Sequence, residues 1–255
     1  MTEPSVSTEG ASVKAAGTSS GASLELKHLE AGYGESMILR DVSLTVPPGQ
    51  VVCLMGRNGV GKSTLMKTVM GLIKPKRGSI LYGGQEYTKS APDRRAKAGI
   101  GYVPQGRDVF PQLTVEENLL LGLEAADARL RRAGIPGHVF DKFPVLREMI
   151  HRKGGDLSGG QQQQLSIARA LVSEPKLLLL DEPMEGIQPS IVMDIERVIE
   201  SIKRSRAMSV LLIEQSLSFA TSIADYYYVL DKGGIVAEGS SADLSEEQVR
   251  RHLAV

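Results

Sequence analysis

Nine consecutive residues, Gly56, Arg57, Asn58, Gly59, Val60, Gly61, Lys62, Ser63 and Thr64, carry the spacing G-x-x-x-x-G-K-[ST]. An apolar run (51–55) precedes them and a helical pattern (65–70) follows. Glycines at these positions let backbone N–H groups close around phosphate oxygens. Lys62 would then reach the β- and γ-phosphates, and the Ser63 hydroxyl would ligate Mg²⁺. A chance glycine turn would not bring the strand, the lysine and the hydroxyl together. Two adjacent carboxylates, Asp181 and Glu182, follow four leucines (177–180), at the strand end where open α/β sheets bind ligands. Alternation along an extended chain would separate them, one toward Mg²⁺ and the other toward an attacking water. Gln105 ends an apolar strand at 99–103 and by itself is an ordinary loop residue.

A third stretch, residues 154–164, opens on glycines and ends in four successive glutamines. Ser158, Gly159, Gly160 and Gln161 form a capping-box spacing, so a helix should start here. Its unpaired N–H groups and positive dipole end would face a Gly/Ser loop and invite an anion. An ordinary capped surface helix would read the same in isolation.

These residues need a scaffold, and the chain of 255 residues is long enough to build one. Lys plus Arg and Asp plus Glu are 30 each, which gives no general electrostatic pull toward nucleic acid or anionic lipid. No aliphatic run is long enough to cross a bilayer, and the first twenty residues lack the apolar segment of a signal peptide. The single Cys53 can form no internal disulfide, which fits a reducing cytoplasm, and its neighbours make it a buried strand residue.

Residues 1–22 are rich in Ser, Thr, Ala and Gly and are expected to form a disordered tail. Folded sequence should begin near Ser23 with short antiparallel-like strands, one over 24–29 and one over 42–46, joined through an Ala-Gly-Tyr-Gly turn that displays Tyr33. Buried parallel strands are expected at 51–55, 177–180 and 209–213. The basic cluster Arg94, Arg95 and Lys97 reads as a solvated helix face. From Leu113 the pattern turns helical, with a capping box at Thr114 and Glu117 and candidates at 125–132 and 138–149. Helices at 189–203, at 217–223 and from Ser245, with a strand at 226–230, complete the chain. His138 and His151 lack partners at ligand spacing and read as surface histidines. Tyr226, Tyr227 and Tyr228 read as sheet packing.

In this order the phosphate loop, Gln105, Leu157-Ser158-Gly159-Gly160-Gln161 and the strand ending in Asp181-Glu182 resemble the ATP-binding cassette (ABC) ATPases over roughly residues 23–255. The resemblance implies an α/β P-loop NTPase fold. Its RecA-like core with a mostly parallel sheet and an N-terminal antiparallel β subdomain would span 23–105 and 173–255, with an inserted α-helical subdomain at 106–172. It implies ATP and Mg²⁺, with Tyr33 stacking on adenine and Gly56 to Thr64 holding phosphates. Ser63, Gln105 and Asp181 would serve the metal, and Glu182 would be the general base with Gln105 and Gln215 beside it. Ser158, Gly159, Gly160 and Gln161 would face the γ-phosphate of a partner cassette. The implied partners are two transmembrane permease subunits, a second ABC ATPase subunit arranged head-to-tail and, indirectly, an extracytoplasmic solute-binding protein. The implied location is peripheral, at the cytoplasmic face of the plasma membrane.

Three positions depart from the general pattern. Gln215 replaces the usual switch histidine, Glu185-Gly186-Ile187-Gln188 replaces the usual Ser-Ala-Leu-Asp, and Met184 stands where many relatives have Thr or Ser. The first two resemble the branch serving importers of branched-chain amino acids, amides and urea. Within it, residues 104–107, 113–121, 143–146 and 154–164 look closest to the urea-importer ATPase subunit. The expectation is therefore an ATP-hydrolysing subunit of a urea or short-chain amide importer. The alternative is a branched-chain amino-acid importer subunit. A soluble ABC ATPase outside transport usually carries two cassettes, long coiled-coil insertions or basic arms, and this chain shows none. Glu182 argues against a non-hydrolysing regulatory subunit.

Overall fold

The computed structural model describes residues 21–243. The expected helix from Ser245 and residues 1–20 of the expected tail lie outside them. Gly21 and Ala22 belong with the folded chain: the Ala22 N–H donates to the Lys176 carbonyl, and the Ser209 hydroxyl donates to the Ala22 carbonyl at 2.9 Å.

Two sheets carry the molecule. The antiparallel sheet contains β1 (Leu24–Tyr33), β2 (Ser36–Val46), β4 (Arg77–Tyr82) and β5 (Gln85–Glu86), in the order β2-β1-β4-β5. The larger sheet contains β3 (Val51–Met55), β6 (Ile100–Val103), β7 (Leu177–Asp181), β8 (Ser209–Ile213), β9 (Tyr226–Asp231) and β10 (Gly234–Ser240). Its order is β10-β9-β3-β8-β7-β6, parallel from β9 to β6 with β10 antiparallel at the edge. The opening strands are longer than the expected short pair, because β2 starts at Ser36 immediately after the turn beyond Tyr33 and pairs along most of β1.

The helices are α1 (Lys62–Met70), α2 (Pro92–Lys97), α3 (Val115–Gly122), α4 (Ala128–Ala133), α5 (Gly137–Lys142), α6 (Pro144–Glu148), α7 (Gly159–Leu171), α8 (Pro189–Ser205) and α9 (Leu217–Ile223). The expected helix at 125–132 is instead capped at Asp127, whose carboxylate accepts the Leu130 N–H, so α4 starts later. The expected helix at 138–149 divides into α5 and α6 at Phe143 and Pro144, where the proline has no N–H to continue the helical bonding.

The run of four leucines serves two cores at once. Successive side chains of a strand point to opposite faces. Leu178 and Leu180 therefore enter the cluster shared with α3, α7 and α8, whereas Leu177 and Leu179 enter the cluster under the antiparallel sheet and α1. All four are fully buried, which is why an unbroken apolar run fits a strand covered on both faces.

A side chain of α2 departs from its sequence reading as well. Arg95 is buried rather than part of a solvated face. Its guanidinium donates to the carbonyls of Thr68, Val69, Thr88 and Ser90, at 2.6–3.1 Å. Two of these carbonyls end α1, where backbone acceptors lack intrahelical partners. Burial pushes the Arg95 guanidinium down from its ordinary value, yet four acceptors keep its charge compensated.

Candidate functional site

Strand β3 delivers the chain into a loop whose backbone favours glycine at three positions. Gly56, Gly59 and Gly61 have φ of 156°, 80° and 114°, conformations that side-chain-bearing residues rarely adopt. A Cβ at Gly56 would stand 2.5 Å from the Leu230 carbonyl oxygen, and one at Gly61 would stand 3.0 Å from the Leu39 side chain. The loop is thus pressed against β9 and β2 where it leads into α1. Lys62, almost fully buried, folds back across it. Its Nζ donates to the carbonyls of Gly56 at 2.8 Å and Arg57 at 2.9 Å and lies 3.2 Å from Glu182 Oε1.

Asp181 ends β7 inside the sheet, and Ser63 Oγ donates to its Oδ1 at 3.3 Å. Burial pushes the Asp181 carboxyl up, and the Ser63 hydrogen bond opposes that shift. Glu182 has already left the strand. Its φ is 48°, a left-handed backbone that is uncommon for a side-chain-bearing residue. Its N–H nevertheless bonds the Ile213 carbonyl of β8 at 3.1 Å. The two carboxylates meet different partners, Ser63 for Asp181 and Lys62, Gln105 and Gln215 for Glu182.

Two glutamines meet Glu182. Gln215 Nε2 donates to Glu182 Oε1 at 2.9 Å and to Asn58 Oδ1 at 2.7 Å. Gln105 Nε2 donates to Glu182 Oε2 at 3.3 Å and to Glu185 Oε2 at 2.6 Å. Glu182 therefore sits between Lys62 and two amides, and Gln105 bonds this carboxylate rather than the Ser63–Asp181 pair. Of the expected site residues, Asn58, Lys62, Gln105, Glu182 and Gln215 share this network, while Ser63 and Asp181 bond each other at its edge.

Tyr33, Ser158, Gly159, Gly160 and Gln161 lie outside that network. Tyr33 is 52% exposed at the end of β1. Ser158 Oγ accepts the Gln161 N–H at 3.3 Å, and Gln161 Oε1 accepts the Ser158 N–H at 2.9 Å, completing the capping box of α7. A Cβ at Gly159 would meet the Arg107 guanidinium at 2.5 Å, and one at Gly160 would meet Ile191 of α8 at 2.8 Å. Gly160 is held small by the branched Ile191 side chain, whereas at Gly159 the end of the long Arg107 side chain could yield.

The site suits a nucleoside triphosphate with a hard cation. It offers a cradle a Cβ would fill, a buried ammonium, and one hydroxyl beside one carboxylate. Among the described residues no group of three or more His, Cys, Asp or Glu side chains is arranged to hold a metal. A cation would rest on few protein oxygens and on the phosphates themselves, which is how Mg²⁺ is held.

The family model described as "ABC transporter" matches residues 39–185. This chain belongs to the ABC transporter ATPases. As a member it binds and hydrolyses ATP, and its two-sheet core with helices is the fold of that family. The ABC ATPase is 42% identical over 212 residues to the "High-affinity branched-chain amino acid transport ATP-binding protein BraG" of Pseudomonas aeruginosa, covering 83% of this chain and 90% of that protein. It is 37% identical to the "Probable branched-chain amino acid transport ATP-binding protein LivF" of Archaeoglobus fulgidus, covering 86% and 93%. The "Lipopolysaccharide export system ATP-binding protein LptB" of Escherichia coli is 34% identical, with 90% and 96% covered. Among solved structures, an "ATP binding subunit of ABC transporter" superposes with TM-score 0.75 at 29% identity, covering 89% of this chain and 92% of that one. A dimeric post-hydrolysis cassette bound to ADP and Pi gives TM-score 0.75 at 25% identity, covering 86% and 98%. The relatives named for a substrate of uptake are branched-chain amino-acid proteins, which moves the substrate expectation away from urea.

Sequence reasoning gave no role in the site to three further residues of this ABC ATPase. Glu185 holds Gln105, Arg107 lies against Gly159 and donates to the Gly186 carbonyl at 3.4 Å, and Glu214 is a buried carboxylate beside Gln215. For Glu214 a signal existed, since an acid directly follows an apolar strand. Glu185 reaches Gln105, and Arg107 reaches Gly186, only through the tertiary fold.

Proposed function

We propose that this chain is the ATP-hydrolysing subunit of an importer of branched-chain amino acids. The 42% identity with BraG carries the substrate class, and the network around Glu182 supports the chemistry. In this reading the loop N–H groups and Lys62 bind the triphosphate, which draws Lys62 away from Glu182. Ser63 and Asp181 are the residues that would hold Mg²⁺, which would supply charge neutralisation on the phosphate oxygens. Glu182 takes the proton of the attacking water, Gln105 and Gln215 orient it, and Tyr33 stacks on the base. Positioning and charge stabilisation of this kind are most of what phosphoryl transfer needs. Ser158, Gly159, Gly160 and Gln161, outside the network of their own chain, complete the site of a second cassette.

The membrane partner would dock on the groove of about 690 Å³ lined by Leu72, Tyr102, Phe110 and Leu121. Leu72, Phe110 and Leu121 are large apolar side chains left exposed there. Among the described residues no helix is long and apolar enough to cross a membrane, so translocation would fall to separate permease subunits, with a solute-binding protein reached through them.

Residues 185–190 favour a second reading, urea or short-chain amides, by their resemblance to that branch. Uptake of labelled leucine and labelled urea into vesicles holding the chain with its permeases separates the two. ATP-dependent leucine uptake without urea uptake supports the first reading, and the converse overturns it. Loss of ATP hydrolysis in Glu182→Gln tests the motor itself, and unchanged turnover would sink the base assignment.

A further inference from the structure

The loop after β6 and the loop after β7 are joined by side-chain hydrogen bonds at two points. Gln105 Nε2 donates to Glu185 Oε2 at 2.6 Å and to Glu182 Oε2 at 3.3 Å, and Arg107 Nη2 donates to the Gly186 carbonyl at 3.4 Å. The two acids come from one turn, closed by the Glu185 N–H on the Glu182 carbonyl at 3.2 Å. The Gln105 amide therefore spans the proposed base and a second carboxylate presented by the same turn.

The two bonds are unequal. A donor 2.6 Å from an ionised acceptor makes a short, charge-assisted bond, whereas 3.3 Å is long for an amide donor. Glu182 is also shared, because Lys62 and Gln215 both reach its Oε1. Among the described residues Gln105 is the one side-chain partner of Glu185. Ionised carboxylates only accept, so the amide must turn Nε2, not Oε1, toward both acids. No described residue donates to Gln105 Oε1, which makes it the end that can accept from water.

We propose that Glu185 is a positioning residue for hydrolysis, the carboxylate that fixes which end of the Gln105 amide meets Glu182 and which end is offered to the attacking water. This role rests on the ATPase reading of Glu182 and Gln105. In that reading Lys62 leaves Glu182 when the triphosphate binds, so the partners of Glu182 change during the cycle. The Gln105–Glu185 bond involves neither Lys62 nor the proton-accepting oxygen, and it holds the amide in place while they rearrange.

The test compares ATP hydrolysis and fluorescent-nucleotide binding in wild type, Glu185→Ala and Glu185→Gln, each with and without Gln105→Ala. Alanine removes the acceptor, whereas a glutamine at this position still accepts through its side-chain oxygen. Glu185→Ala should lower kcat about tenfold with KM and nucleotide affinity unchanged, the size expected of a small misplacement of a reacting group. Glu185→Gln should recover most of that loss. In the Gln105→Ala background, Glu185→Ala should cost nothing further, because both changes remove the same bond. A full further loss in that background, or a Glu185→Gln variant as slow as Glu185→Ala, overturns the proposal. A second measurement needs no turnover: the side-chain amide cross-peak of Gln105 in an NMR spectrum should move in Glu185→Ala and stay closer to wild type in Glu185→Gln. An unmoved cross-peak likewise overturns it. If the cross-peak moves as expected but wild type hydrolyses no ATP, the Gln105–Glu185 bond stands and the ATPase reading of Glu182 and Gln105 falls.

Discussion

Glu182 combines a left-handed backbone with contacts to Lys62, Gln105 and Gln215. Strained backbone at such a residue persists only where its surroundings over-determine it, and the N–H bond to β8 supplies part of that restraint. Glu182→Gln keeps the shape and removes the base, so kcat should fall by about 10²–10⁴-fold while fluorescent-nucleotide binding persists. Loss of binding together with turnover would instead mark Glu182 as structural. Glu214 offers a separate test at this scale. A carboxyl whose pKa is higher in the folded chain than in the unfolded one stabilises most below its unfolded value, and that stability is lost as pH rises through the folded value. For Glu214 the window runs from 4.5 to about 7. Glu214→Gln should therefore raise the melting temperature more at pH 8 than at pH 5, and an equal effect at both would contradict the raised value. The phosphate loop, Asp181 and Glu182 were legible because their order along the chain is itself the motif. Glu185 was not, because its partner Gln105 lies on another strand end and only the fold brings them to 2.6 Å.

At the scale of elements, local rules read well and tertiary ones did not. The capping boxes at Thr114 and Ser158 form as spacing dictates, because their bonds close within one turn. Thr114→Ala should lower stability by about 1 kcal/mol, measured as a shift in urea midpoint at constant slope. Arg95 shows the opposite case. Its neighbours Arg94 and Lys97 suggest solvent, yet the carbonyls at the end of α1 stand behind α2 and claim this one side chain. Charge patterning along the chain carries no trace of that acceptor cluster. Arg95→Met fills similar space but leaves buried carbonyls unpaired, so it should cost about 1–3 kcal/mol in the same urea titration. A neutral outcome would mean that water replaces the guanidinium. Asn118 plays a comparable role in α3. Its side chain bonds the Phe110, Leu113 and Thr114 carbonyls and accepts the Phe110 N–H, holding the exposed Phe110 in place beside the apolar groove.

For the whole molecule, the start of α7 remains separate from Lys62 of the same chain. Its capping box is closed on itself, and Gly159 and Gly160 are approached by Arg107 and Ile191, not by the phosphate loop. If its free N–H groups and positive dipole end serve a γ-phosphate, that phosphate belongs to a second cassette. Ser158→Arg places a long cation at this surface, outside the hydrogen-bonded network of Lys62, Gln105, Glu182 and Gln215. Nucleotide affinity of the isolated chain should stay within about twofold of wild type, since Ser158 takes no part in the network of the phosphate loop and uniform binding is left intact, while turnover disappears. Mixing then decides between a local defect and a shared site. A head-to-tail pair of one Ser158→Arg chain with one Glu182→Gln chain contains one site built from an intact Glu182 and an intact Ser158. The other site carries both lesions. With random pairing in equal amounts, roughly a quarter of the wild-type sites should return, as closed twofold assembly requires. Two inactive proteins that regain hydrolysis on mixing would show that each site is shared between chains. Continued inactivity, together with lost nucleotide binding by Ser158→Arg alone, would return α7 to the role of an ordinary capped helix.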